Sequence, residues 1–111
     1  DFYSGAITPS ATSSKVLVFW TVHSRSMTTI SGFGSRLLRG TTNVWTTTRD
    51  YFIYSEDSSS DRHSTMFTYL DSPSTTSATT YAINASTESA NTVYFQANTN
   101  QSTLTLMEVL A

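Results

Sequence analysis

The sequence predicts an all-β domain of two packed antiparallel sheets, on three observations. Residues that suit strands (Val, Ile, Thr, Phe, Tyr, Trp) number 45, against 24 for Ala, Leu, Met, Glu, Gln and Lys together. Short alternating segments recur, separated by clusters of turn-forming residues. No stretch of ten residues carries a helical period. A length of 111 residues fits one domain, residues 1–111, with a core that folds unaided. Disorder combines few apolar residues with high net charge, whereas this chain is 38% hydrophobic with net charge −2. Ser and Thr supply 40 positions and charged residues only 13%, which implies an uncharged, hydroxyl-rich exterior.

Taken in order, Lys15 to His23 is the clearest strand. Val16, Val18, Trp20 and Val22 share one face, with Leu17 and Phe19 on the other. Such a strand is covered on both sides, or packs one side on a partner subunit. Ser35 to Arg39 reads as a short strand closed by Gly40, with Gly32-Phe33-Gly34 before it as a loop tip. Asn43 to Thr47 and Asp50 to Tyr54 follow. Ser55 to Arg62 contains nothing apolar and reads as an exposed loop. Ser64 to Leu70 returns to strand character until Asp71-Ser72-Pro73 stops it. Thr79 to Ala85 and Thr92 to Ala97 alternate. Ser102 to Leu110 sets Leu104, Leu106 and Leu110 against Thr103, Thr105, Met107 and Val109. About eight strands result.

Several function classes drop out. Without cysteine there is no disulfide framework, thiolate zinc site or cysteine nucleophile. The longest apolar run, Val16 to Trp20, is too short to span a bilayer, and no signal peptide is visible. One Lys and five scattered Arg form no basic stripe for nucleic acid. A first residue of Asp rather than Met points to a piece of a longer protein.

The order of segments resembles a known family. Ile7-Thr8-Pro9-Ser10 leads into Ser14-Lys15-Val16-Leu17-Val18; Arg36-Leu37-Leu38-Arg39-Gly40, Tyr69-Leu70-Asp71-Ser72-Pro73 and Thr80-Tyr81-Ala82-Ile83 follow. Val93-Tyr94-Phe95 and the closing Ser102-Thr103-Leu104-Thr105-Leu106-Met107-Glu108-Val109 complete the set. From Ile7 onward this is similar to C-terminal domains of bacteriophage tail-fibre and virion surface proteins, those of cyanophages and marine phages especially. Each segment alone is a generic strand; their order carries the match. The resemblance implies a jelly roll of the C1q and tumour-necrosis-factor type, assembled as a homotrimer at a fibre tip or as a knob on the virion. It also implies other virion proteins as neighbours.

Candidate chemistry is sparse, and the chain reads as a non-enzyme without cofactor or metal. His23, His63 and many Ser and Asp residues are present, but no Gly-x-Ser-x-Gly elbow is. Glu56, Asp57, Asp61 and His63 fall within eight residues, yet match no calcium loop and read as a solvated acidic loop. Asn84-Ala85-Ser86 and Asn100-Gln101-Ser102 fit the glycosylation pattern, which arises by chance in a Ser- and Thr-rich chain. Aromatic rings beside hydroxyl and amide side chains suit sugars, so Phe33, Trp45, Tyr51, Tyr54, Asp57 and Asp61 are candidate receptor-loop residues. For Trp45 the competing reading is a core position. Leu104, Leu106, Met107 and Val109 are the candidate trimer interface, because an apolar terminal strand needs cover. Two functional classes follow: an adhesion module for a host-surface glycan, or a non-binding cap or capsid-decoration part. A secreted C1q-like or cytokine-like ligand is a third.

Overall fold

The computed structural model describes residues 3–26, 31–47, 53–55, 62–87, 93–96 and 101–111. Nine strands lie within them: β1 (Tyr3–Ile7), β2 (Lys15–Ser26), β3 (Ser31–Arg39), β4 (Thr42–Thr46), β5 (Ile53–Ser55), β6 (Arg62–Asp71), β7 (Thr79–Thr87), β8 (Val93–Phe95) and β9 (Leu104–Val109). They form two antiparallel sheets. One runs β1-β7-β3-β4, with β5 also on β3; the other runs β6-β2, with β8 and β9 sharing the far side of β2. The chain changes sheet at β1/β2, β2/β3, β5/β6, β6/β7 and β7/β8. As a result β2 pairs β6 in one sheet while β3 pairs β7 in the other.

Alternation along β2 decides which side is inside. Val16, Val18, Trp20 and Val22 are fully buried, and Leu37, Tyr81 and Ile83 meet them from the other sheet. Burial of each large apolar side chain contributes roughly 1.5–3 kcal/mol, so these residues hold the two layers together. Gly40, at φ 59, is the first residue of the two-residue turn joining Arg39 to Thr42; a side chain there is strained.

Three sequence expectations change. Tyr3–Ile7 is a strand that the eight expected strands omit. β3 starts at Ser31, so Gly32-Phe33-Gly34 lies inside a strand and not at a loop tip: Phe33 pairs with Ile53 and Thr87, and its ring is 2% exposed. The third concerns β4. Its register on β3 shifts between Leu37 and Leu38, so neighbouring Val44 and Trp45 both pack on the core. A bulge of this kind breaks the period of two on which the strand reading relied.

Candidate functional site

The domain is elongated, 49 × 26 × 19 Å, and its two ends differ. At the first, Asp71 closes β6 and faces Arg39 of β3 and Tyr81 of β7, in the opposite sheet. Arg39 Nη1 donates to Asp71 Oδ1 at 2.9 Å and Oδ2 at 2.8 Å, and also reaches the Ser72 carbonyl at 3.3 Å. The Tyr81 hydroxyl donates to Asp71 Oδ2 at 2.6 Å. Burial, then the adjacent Asp71 carboxylate, push the Tyr81 hydroxyl pKa well above its ordinary value, so this phenol stays a donor. A carboxylate that accepts three hydrogen bonds from two side chains of the facing sheet is a clamp between sheets rather than a reactive group.

Beside it, Glu108 of β9 accepts from the Ser10 amide at 2.6 Å and the Ser10 hydroxyl at 2.8 Å. The nearby Ser14 hydroxyl and the two Ser10 hydrogen bonds hold its carboxyl below the usual range. The C-terminal strand is thereby tied to the loop that precedes β2.

The opposite end holds Phe33 and Tyr54 of the candidate receptor residues. Register places Ser31 beside Ser55, Gly32 beside Tyr54, Arg25 beside Arg62 and Ser26 beside Val93. The strand ends flanking 27–30, 56–61 and 88–92 therefore lie at one end. Tyr54 is exposed there. Phe33 is not presented to solvent: its ring meets Phe95 edge-on at 5.7 Å and lies 6.4 Å from the His63 ring. Trp45 stands apart from this end, in β4, with its half-buried ring edge-on to Trp20 at 5.3 Å and 5.2 Å from Phe67. Its packing assigns it to the core, the competing reading. Tyr51, Asp57 and Asp61 lie outside the described residues, as does Glu56.

His63 and Ser24 are directly opposite each other on β6 and β2. His63 Nε2 and Ser24 Oγ are both buried, without a hydrogen-bond partner among the described residues. No described carboxylate orients the histidine, and the pair does not hydrogen-bond to each other, so nothing here resembles a nucleophile–base relay. Among the described residues no three His, Cys, Asp or Glu side chains converge as metal ligands.

The four candidate interface residues split by face. Leu104 and Leu106 point inward, pack on the core and sit 3.6 and 3.7 Å from where a side chain on Gly5 would begin. They are internal packing residues of this chain. Met107 and Val109 point outward and are exposed. Two further outward residues complete a row with Met107: Leu17 pairs with Leu70 on one side and Met107 on the other. The apolar outer side of β2, visible in Leu17 and Phe19, was the sequence signal for this row; Leu70 gave none, since its strand reads as ordinary alternation. The Asp71 clamp was also illegible, because Asp71 beside Ser72-Pro73 looks like a strand terminator.

No described helix is long and apolar enough to cross a membrane. No family model, curated protein or solved structure matches this chain.

Proposed function

We propose that this chain is a surface module of a phage virion: a jelly-roll domain that assembles as a homotrimer and presents one end to a glycan on the host surface. One observation carries the proposal. In a domain 49 Å long, the described strand ends flanking 27–30, 56–61 and 88–92, with exposed Tyr54 among them, lie opposite the end fastened by Asp71 and Glu108. An elongated sandwich with one fastened end and an exposed tyrosine at the other suits a knob that stands off a particle. The pairing of β2 with β6 and β3 with β7 across two sheets supports the jelly-roll assignment.

A second reading, a cap or capsid-decoration part that binds no receptor, gains from the burial of Phe33 and the packing of Trp45. Both rings serve the fold and neither is offered to a sugar. Binding of the wild-type chain to host cells and to a glycan array separates the two. Under the attachment reading the chain binds, and Tyr54→Ala weakens binding roughly tenfold or more, the loss of one stacking or anchor contact of 1.4 kcal/mol or above. The same variant keeps its fold and its oligomer. Wild-type protein that binds no host cell and no glycan establishes the cap.

A further inference from the structure

We infer that copies of this chain meet through the outer face of the β6-β2-β9 sheet, with Met107 and Leu17 at the centre of the contact. The inference deepens the self-assembly stated above and rests on it. Three strands here present their outward positions to no other layer among the described residues. Leu70, Leu17 and Met107 form a continuous row across them. Phe19 lies two residues on along β2, Val109 pairs with Lys15, and Met66 pairs with Thr21. Met66 is 67% exposed, Met107 50%, Leu70 46% and Val109 36%, so these are not rim atoms of a core but open apolar surface.

Charge selects the occupant. A contact between identical chains brings like charges near one another, so it requires a face with few of them. On this face the described charged side chains lie at its ends: Lys15 beside Val109, and Arg62 where β6 begins. Between them stand only apolar residues, hydroxyls and His23. A charged partner of either sign finds nothing to pair with across the middle, whereas a second copy brings an equally uncharged surface. The Thr21 and Thr103 hydroxyls already bond to each other at 3.0 Å, which lowers their demand for water.

Size agrees. Ten paired residues on each of β2 and β6 and six on β9, at about 3.4 Å per residue and about 4.8 Å per strand, give a flat footprint of about 420 Å². Side-chain relief adds to that area, which stands at about half of the roughly 800 Å² per partner of a standard interface and fits a contact at the small end of the range. Leu104 and Leu106 have no part in it, and a charge at Leu106 tests the chain's own core.

The test is mass by light scattering across micromolar concentrations, for wild type, Met107→Glu and Met107→Leu. Wild type exceeds the 12.2 kDa of one chain. Met107→Glu falls to monomer mass with an unchanged circular dichroism spectrum, because burying carboxylates at the contact weakens association by roughly 100-fold or more. Met107→Leu retains the wild-type mass. Should Met107→Glu unfold, Val109→Lys, at a more peripheral outward position, must show a weakened oligomer on a folded chain. A multimer that survives both substitutions overturns this face while leaving assembly standing. A wild-type monomer overturns the face together with the assembly on which it rests. A dimer abolished by Met107→Glu supports the face and removes only the threefold count.

Discussion

The two ends of the sandwich satisfy their polar groups to different degrees. At the fastened end Asp71 gathers Arg39 and Tyr81 from the facing sheet and Glu108 gathers Ser10, while Ser14 Oγ is left buried without a partner among the described residues. At the other, Ser24 Oγ and His63 Nε2 are buried with no partner among the described residues, under the rings of Phe33 and Phe95. A buried polar atom without a partner costs on the order of 1–3 kcal/mol, whereas a completed network gains cooperatively. Stability is thus concentrated where the sheets are clamped. The end that bears the candidate recognition residues pays for its aromatic roof with unmet hydrogen bonds, a distribution common where a surface must remain free to adapt.

Three substitutions break or sharpen that contrast. Asp71→Ala strips the clamp and leaves Arg39 and Tyr81 without their acceptor. It should destabilise by about 3 kcal/mol, discounted from a fully buried pair because Arg39 is partly solvated. Tyr81→Phe, which removes one donor, should cost about 1–2 kcal/mol. Urea unfolding midpoints measure both, and a loss under 1 kcal/mol for Asp71→Ala would make the clamp ornamental. Next in size is Ser24→Ala, which deletes an unpaired hydroxyl. It should leave stability unchanged or raise it by up to about 1 kcal/mol. Clear destabilisation by Ser24→Ala would show that the hydroxyl has a partner and that the two ends are alike.

The smallest effect concerns pH. Glu108 is held below the ordinary carboxylate range in the folded chain, so its contribution is present above the unfolded value of about 4.3 and is lost as pH falls through the lower folded value. Wild type should therefore have the higher thermal midpoint near neutrality. Its advantage over Glu108→Gln should shrink as pH falls below the ordinary carboxylate value and through the lower folded one. A constant gap at every pH would mean that the carboxylate charge is irrelevant to the tie.

Much of this architecture is legible in residue order. The β2 alternation grouped Val16, Val18, Trp20 and Val22 on one face, and the later alternations located β6, β7 and β9. What escaped did so for identifiable reasons. Two glycines around Phe33 imitate a loop, yet cross-strand partners on both sides make the segment a strand. Trp45 sits after a register shift, and a bulge leaves no mark on a pattern of period two. Leu104 and Leu106 were correctly placed on one face of the last strand. Sequence could not say that this face lies over Gly5 of β1, because the pairing of β9 with β2 joins residues about 90 positions apart. Of the candidate receptor residues, only Tyr54 keeps an exposed position, opposite the Asp71 clamp, among those described.

β2 is the strand through which every pairing of its sheet runs: β6 on one side, β8 and β9 on the other. Strand slippage there is consequently a collective error. A shift of one residue would turn Val16, Val18, Trp20 and Val22 outward against all three partners at once. The usual penalty is blunted in this chain, since Leu17 and Phe19 would enter the core in exchange. Discrimination then falls to the polar members of the outer face. Lys15, Thr21 and His23 would be carried inside together, and a lysine ammonium is the least tolerable of the three. Lys15 serves as a spelling check on the strand: replacing it with Leu would soften the distinction between native and misregistered sheets, and misassembly during refolding should rise before any loss of native stability is measured.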